Sequence, residues 1–546
     1  MLKRIAIDLT PLLPGGDNGG AKPLAIELIR HLGKTAPQCG FILLTSEASH
    51  AELACLDASN IRRFCVTRPE NARSLARKMA LRVRQAMLKI LPGKVVQKAG
   101  EVYSAALERT PERSSLLRQV EAELLFCPFT GALFFDPSVP VVSLVHDLQY
   151  LYYPQFFTPE SRYERDRHFR QVCRVATRLI CVSEDTRAKV LEHSGLPAER
   201  VVTVLSAPQE RLAKPGPAAA GRALETLRLK AGRYLLYPAN FWRHKNHEVL
   251  LIAFGMYRSR HPRSDLKLVL TGAPSPRSGE LMEAARRAGL ADWVVFPGYL
   301  PDEDFAALLA HSAAVVFPSL FEGFGMPVLE AMAAGVPVLA SNLTSLPEVA
   351  GDAALLFDPR RPTEVVEAIT RLETDPALRP ALVEKGRRRV ASFAGPADMA
   401  AGYFAVFQDA VRYPVERPPA LYGVFPDAWT SDRVTVVFGN GTAPRRLTVT
   451  FKAPGWIPSD AVSIRVLPDP SGRPEIHRIP RGEEKSITRD LPEKSGMVEF
   501  LCSPTFQPAR FEAGGDTRSL GCHLESAAIL EPNGNVQPLH PEADAA

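Results

Sequence analysis

The sequence predicts an α/β protein: two doubly wound, Rossmann-like domains facing each other across a cleft, then an antiparallel β-sandwich. Three observations predict it. Short runs rich in Val, Ile and Leu alternate with helical patterns in two successive series. Those runs show no polar–apolar alternation, so they are buried on both faces, as strands of parallel sheets are. From about residue 414 the runs do alternate, between Pro and Gly turns, which marks antiparallel sheets.

The first series runs RIAIDL, GFILLT, RRFCVT, ELLFCPF, VPVVSLVH and RLICVS, and closes at VVTVLS; it defines a domain over residues 1–208. The second runs RYLLYPAN, LKLVLTG, WVVFPGY, AAVVFPS, VPVLAS and ALLFDP, and defines a domain over 209–413. The Pro-rich stretch YPVERPPALYG then leads to DRVTVVFGNG, RRLTVTFKAP, VSIRVLP and MVEFLCSP. These form a sandwich over 421–540, and the final stretch GNVQPLHPEADAA reads as frayed. A chain of 546 residues exceeds what one core can hold.

The net charge of +6 permits anionic partners without demanding nucleic acid. The eight cysteines include no Cys-x-x-Cys pair, and several lie inside strand runs as small core residues. MLKRIAIDLT enters a strand directly, with no signal-peptide core, and no apolar run nears 18 residues. A cytoplasmic location is the expectation. Residues 71–100 carry eight Lys or Arg and no acid, and Leu75, Met79, Val83, Met87 and Ile90 form one helical stripe. That pattern suits peripheral attachment at the anionic inner face of a membrane. It suits equally a solvated helix packed on its own domain.

In doubly wound sheets ligands bind beyond the carboxyl ends of the strands, and four strand-end segments stand out. FEGFGMPVLEAMAAG follows the strand AAVVFPS. Two glycines around Phe324 preclude regular structure there. Pro327 suits a first helical position and Gly335 a helix end. Glu322 then falls in the loop and Glu330 in the first turn of the helix. The N–H groups of Gly323, Phe324 and Gly325, with the helix dipole, make an anion site. Carboxylates beside it accept hydrogen bonds from hydroxyls, so the segment describes a nucleotide-sugar pocket. Glu330 reads equally as compensation of the helix dipole.

In YPANFWRHKNHEVL, Arg243 and Lys245 follow a strand, and Asn246 suits a helix N-cap. A guanidinium fork and an ammonium suit a diphosphate; the alternative is two exposed cations on a loop. VVSLVHDLQYLYYP puts His146 and Asp147 at a strand end with side chains pointing apart, so Asp147 is no evident triad partner. PLLPGGDNGGAKPLAIELI places Gly15, Gly16, Gly19 and Gly20 between a strand and a helix. Backbone can approach a phosphate or sugar closely there, although the pattern is neither a Walker loop nor a strict dinucleotide fingerprint.

Together these segments resemble the retaining GT-B glycosyltransferases of family 4, a group that includes bacterial mannosyltransferases. The likeness spans roughly residues 1–412. The E-x7-E spacing from Glu322 to Glu330 around Gly-Phe-Gly is its strongest part, with PEVAGDAALLFDP, RHKN, VHDL and PGGDNGGAK beside it. The resemblance implies transfer of a sugar from a GDP- or UDP-sugar to a glycan or lipid-linked acceptor, with anomeric configuration kept, in cell-surface polysaccharide synthesis. It implies no metal and no cofactor beyond the donor substrate.

Residue by residue, the resemblance implies that Glu322 contacts donor-sugar hydroxyls and Glu330 the ribose. Phe324 and Gly325 amides, beside Gly323, would sit near sugar and phosphate. Arg243 and Lys245 would bind the diphosphate, and His146 would approach the reaction centre. Gly19 and Gly20 would meet the diphosphate across the cleft, and Tyr299 and Leu300 would pack the nucleobase. In some members an arginine stands where this chain has Ala239, and a late tryptophan is replaced here by SFAGP. The acidic run Asp302 to Asp304 imitates a metal motif but reads as a helix N-cap region.

The tail resembles β-rich extensions fused to bacterial surface-polysaccharide transferases. It reads as a glycan-binding or acceptor-placing domain, or as a structural cap, with Trp429 and Trp456 as sugar platforms or as packing and Asp516 and Arg518 as a local ion pair. Two rival functions remain. A glycan-binding scaffold with a degenerate transferase core conflicts with the intact set of candidate residues. A nucleotide-sugar isomerase of Rossmann type conflicts with the missing dinucleotide fingerprint.

Overall fold

The computed structural model describes residues 2–14, 19–66, 112–208, 217–413, 419–425, 427–442, 444–457, 459–467, 475–506 and 520–540. The basic stripe of 71–100, Gly15, Gly16, Asp516 and Arg518 lie outside these residues.

The first sheet holds seven parallel strands: β1 (Arg4–Asp8), β2 (Gly40–Thr45), β3 (Ile61–Cys65), β4 (Leu124–Cys127), β5 (Val141–Val145), β6 (Arg178–Cys181) and β7 (Val201–Thr203). Their order is β3-β2-β1-β4-β5-β6-β7. The second holds six: β8 (Tyr234–Pro238), β9 (Lys267–Thr271), β10 (Val294–Gly298), β11 (Ala314–Phe317), β12 (Val338–Ser341) and β13 (Ala354–Phe357), in the order β10-β9-β8-β11-β12-β13. Every residue of β4, β5, β6, β11 and β12 is buried. That is why these segments read as unbroken apolar runs.

Each order reverses once beside the first strand of its series. In the first sheet the fork lies between β1 and β4, in the second between β8 and β11. Loops leaving such a pair diverge to opposite faces and open a crevice. The forks therefore locate the two halves of any ligand site before a side chain is considered.

The chain then returns to the first unit. The helix Pro396–Arg412 lays Tyr403 and Phe407 against Phe126 of β4, with ring centroids 5.8 and 5.0 Å apart. Asp409 on this helix also accepts a 2.8 Å hydrogen bond from Arg178 of β6.

The C-terminal strands form two antiparallel sheets. One has five strands, β14 (Ala420–Val424), β15 (Thr430–Phe438), β20 (Gly496–Ser503), β17 (Ala461–Leu467) and β18 (Glu475–Pro480), in that order. The other has four, β19 (Glu484–Leu491), β16 (Arg445–Lys452), β21 (His523–Leu530) and β22 (Val536–Pro538). Phe451 of one sheet meets Phe500 of the other at 5.4 Å inside a shared core. The expectation of a wholly frayed tail is corrected: Val536–Pro538 pairs with β21, and Leu539 is buried. A short Val-Gln-Pro strand has too little periodicity to be visible in the sequence.

The sandwich docks on the first unit through charge and aromatic contact. Arg118 spans two carboxylates, at 2.8 Å from Asp136 and 2.6 Å from Glu499 of β20. Arg433 of β15 joins Glu499 from the other side at 3.0 Å. Beside them Phe135 packs on Tyr422 of β14, centroids 5.3 Å apart. Arg118→Ala leaves Glu499 with Arg433 and the Thr435 hydroxyl. A loss of about 1–3 kcal/mol is expected, the scale of hydrogen bonds to a covered charge. Calorimetry checks it as a lowered transition or a sandwich transition that separates from the rest.

Candidate functional site

The fork of the second sheet gathers the sequence candidates. Its two loops are 239–246, after β8, and 318–325, after β11. They are tied at several points. Leu320 donates its N–H to His244 O at 2.8 Å. Tyr237 Oη donates to Lys245 O at 2.6 Å. Asn246 sits at the start of the helix His247–Arg260, as expected, but its side chain does not cap that helix. It adopts φ +60° and sends its amide to Pro318 O and Pro359 O, at 3.1 and 2.8 Å. Asn tolerates this left-handed backbone better than other non-Gly residues.

Lys245 Nζ lies 2.6 Å from Glu322 Oε1, and only 11% and 12% of the two side chains are exposed. The ammonium also lies over the Phe317 ring, 5.2 Å from its centroid. Two residues treated separately in the sequence therefore form one unit. Arg243, in the same short 3-10 turn, is exposed.

The Glu322–Gly325 loop is held by its carbonyls. Ser345 Oγ lies 3.1 and 2.9 Å from the oxygens of Glu322 and Phe324. Gly323 O accepts from Ser183 and Thr186, hydroxyls of the first unit, at 2.6 and 3.1 Å. Across a planar trans peptide, the C=O of one residue and the N–H of the next point in opposite directions. The N–H groups of Gly323, Phe324 and Gly325 thus face away from these hydroxyls. Gly325 holds φ +105° as the N-cap of the helix Met326–Ala333, with Pro327 as its second residue and Gly335 beyond its end at φ +72°. Side chains with a Cβ rarely adopt such backbones. N–H groups just ahead of a helix start are the kind of donor that suits an anion.

Glu330 corrects one expectation. The helix starts at Met326 and has no acid in its first turn, so Glu330 lies in the second turn, buried at 6% exposure. Compensation of the dipole acts within the first turn, so that reading of Glu330 loses its footing. Asp302 to Asp304 occupy the first turn of the helix Asp302–Ala310, with Pro301 rather than an acid at the N-cap. Tyr299 and Leu300 follow β10; Tyr299 is 65% exposed and Leu300 packs on the core.

The first unit supplies the opposite wall. His146 follows β5, and its Nε2 lies 2.8 Å from Pro128 O, in the loop after β4. A carbonyl only accepts, so Nε2 carries the proton. Burial holds the imidazole below its ordinary pKa, against the raising effects of Pro128 O and Asp147. His146 is therefore neutral near pH 7 with Nδ1 as acceptor. Asp147 accepts from Gln149 N at 3.0 Å. Gly20 starts the helix Ala21–Thr35, and Gly19 has φ +54°. A Cβ on Gly19 would lie 2.7 Å from Trp242 Cη2, so this glycine meets the Lys245 loop across the cleft.

Sequence reading missed Ser183, Thr186, Trp242, Ser345 and Glu348. One signal was present: Ser183 and the acids Glu184 and Asp185 after a strand form a helix-start pattern. Trp429 and Trp456 are remote from these loops in sequence and meet each other at 6.0 Å on the sandwich, Trp456 being 44% exposed.

The fold and this cleft define a class. Residues 225–389 match the family model described as Glycosyl transferases group 1, and residues 100–205 match Glycosyltransferase Family 4. The chain has the GT-B fold of its solved neighbours, and mannosyltransferases are among its relatives. O-antigen chain mannosyltransferase B of Escherichia coli is 30% identical over 256 residues, covering 46% of this chain and 66% of that protein. The MMP alpha-(1->4)-mannosyltransferase of Mycolicibacterium hassiacum is 35% identical over 150 residues, 27% of this chain and 36% of that one. The chain thus spans just under two thirds of the first relative and about a third of the second. Among solved structures, Anabaena HepE in complex with UDP-glucose aligns with TM-score 0.56 and 15% identity over 74% of this chain and 99% of its own. WaaG, a glycosyltransferase involved in lipopolysaccharide biosynthesis, aligns with TM-score 0.53 and 16% identity over 74% and 99%. Among the described residues no helix is long and apolar enough to cross a membrane.

His247 makes the site sensitive to acid. It stacks between Tyr237 and Phe241, centroids 4.7 and 5.0 Å away. Burial, then the charges of Lys245 and Arg277, push its pKa from 6.5 down to about 3. Between those values the unfolded chain binds more protons than the folded one. The resulting stability is complete above 6.5 and is lost as pH falls toward 3, at up to about 1.4 kcal/mol per pH unit. Urea titrations from pH 7.5 to 5 should show this slope, flattened in His247→Phe.

Proposed function

We propose that the chain is a retaining glycosyltransferase. It moves a sugar, mannose in the first instance, from a GDP- or UDP-sugar to a glycan or lipid-linked acceptor in cell-surface polysaccharide synthesis. The observation that carries this reading is the Lys245–Glu322 pair beside three outward N–H groups. It sets a cation, a carboxylate and an anion cradle at the fork of an α/β sheet. The relatives support the sugar and the pathway class, since the printed names of both include mannosyltransferase.

The roles follow from charge. A diphosphate arriving at the cradle competes with Glu322 for Lys245. Lys245, with Arg243 nearby, then stabilises negative charge on the leaving diphosphate. Glu322, released from its partner, accepts hydrogen bonds from sugar hydroxyls. Glu330 holds the ribose, and Tyr299 with Leu300 borders the base. Gly19 and Gly20 approach the diphosphate from the opposite wall. His146 is held neutral and offers Nδ1 toward the donor rather than a charge. Retention is assigned to a front-face displacement in which the leaving phosphate oxygen takes the proton of the acceptor hydroxyl.

Turnover of a panel of radiolabelled nucleotide-sugars with lipid-linked acceptors tests this directly; no transfer from any of them would refute it. Glu322→Ala and Lys245→Ala should each lower kcat by about 10²-fold, the scale for loss of one transition-state contact. Near-normal rates in both would remove them from the reaction. The proposed chemistry uses no metal, so activity should persist in excess EDTA. Complete loss restored by manganese would contradict that.

A further inference from the structure

The two units touch at the loop that carries the anion cradle, and the contact is built rather than incidental. Ser183 and Thr186 belong to the start of the helix Glu184–Ser194 in the first unit. Both hydroxyls converge on Gly323 O of the second unit, at 2.6 and 3.1 Å. Ser183 is fully buried and also caps its own helix, accepting from Thr186 N at 3.1 Å. One hydroxyl therefore caps the start of a helix and grips the other unit at once.

The grip is reciprocated. Glu348 of the second unit reaches back to the same helix start. Its two carboxylate oxygens accept the N–H groups of Glu184 and Asp185, at 2.9 and 3.0 Å. These donors are among the four that a helix start leaves without intrahelical partners, and a carboxylate suits the positive end of the helix dipole. The helix start accordingly donates hydroxyls to the cradle loop and receives a carboxylate from the segment that follows it.

Gly323 makes the approach feasible. A Cβ there would collide with His146 O and lie 3.3 Å from Asp147 Cβ. Its φ is not left-handed, so this glycine is required by the neighbouring unit and not by its own backbone. Of the three loop carbonyls, those of Glu322 and Phe324 are held from within the second unit by Ser345. The middle one, Gly323 O, is held from the first. That carbonyl sets the direction of the Phe324 N–H, because the two share one planar peptide.

We propose that Ser183 and Glu348 are positioning residues that couple closure of the cleft to the orientation of the Gly323–Phe324 peptide. Glu348 seats the helix start, Ser183 pulls Gly323 O toward it, and the Phe324 N–H is thereby aimed into the anion cradle. The inference rests on the donor-site reading above. It adds that the cradle is complete only when the first unit is seated on it.

The test uses the full chain. Ser183→Ala should lower kcat by about tenfold or more while the Kd for UDP or GDP shifts by less than about threefold, the pattern for lost orientation with retained binding. Ser183→Thr, which keeps the donating hydroxyl, should restore the rate. Ser183→Asp keeps an acceptor for Thr186 N but has no hydrogen for Gly323 O, so it should remain slow. Recovery in Ser183→Asp would make Ser183 a helix cap only and overturn the proposal. Equal loss of kcat and melting temperature that Ser183→Thr does not relieve would overturn it too.

A second arm needs no turnover. Amide hydrogen exchange at Glu184 and Asp185 should quicken at least tenfold in Glu348→Ala, and exchange at Phe324 should change with it. Unchanged exchange at all three would overturn the coupling. If the wild type binds nucleotide but transfers no sugar, the transferase reading fails, while the exchange arm still decides the latch. If the wild type turns over and these variants match it, the latch alone falls.

Discussion

The pairing of Lys245 with Glu322 is the constraint around which the cleft is arranged. Removing two charges from water costs more than a loose ion pair returns, so such a pair persists only where geometry and further contacts support it. The support is visible on both sides. Phe317 lies under the ammonium, Tyr237 and Leu320 fix the backbone of the Lys245 turn, and Asn246 clamps two carbonyls beyond it. These ties hold the loops after β8 and β11 at one separation. The pair itself is electrically balanced, one ammonium against one carboxylate.

Three glycines near the site are glycine for two kinds of reason. Gly325 must hold φ +105° to start a helix directly from the cradle. Gly272 lets the loop after β9 pass Ala239, whose oxygen would lie 2.6 Å from a Cβ. Gly323 leaves room for the other unit. The last two serve approach and the first serves conformation, so substitution would act on packing in one case and on backbone strain in the other.

Much of this was legible in the sequence because it is local. Parallel strands buried on both faces announced themselves as apolar runs, and the Gly-Phe-Gly turn with Pro327 and Gly335 marked where a helix begins and ends. Even there Glu330 fell one residue further along, past the first turn, because Gly325 rather than a later residue serves as the N-cap. What stayed hidden joins distant parts of the chain. Lys245 and Glu322 are 77 residues apart, Ser183 and Gly323 are 140 apart, and Arg118 and Glu499 are 381 apart. Spacing rules describe one helix or one strand. They carry no information on which two strand ends a sheet will bring together, so Lys245, Glu322 and Gly323 were visible as candidates without their pairings, and Ser183, Arg118 and Glu499 were not singled out at all.

The first unit is the part on which the others converge. The helix Pro396–Arg412 packs on its β4, the cradle loop rests on Ser183 and against His146, and the sandwich is bolted to it through Arg118, Asp136 and Phe135. The sandwich contact differs in kind from the cradle contact. Arg118 lies between two well-covered carboxylates, with Asp136 at 1% and Glu499 at 7% side-chain exposure. Opening it would break the two hydrogen bonds from Arg118 to Glu499, at 2.8 and 2.6 Å, and leave Arg118 with Asp136 and Glu499 with Arg433. The contact at Gly323 consists of neutral hydroxyls on a carbonyl and a carboxylate on two N–H groups, and water can replace each of these partners once the cleft opens. The two seams therefore differ in chemistry: a forked charge pair with an aromatic contact holds the sandwich, while neutral hydroxyls and one carboxylate hold the cradle loop.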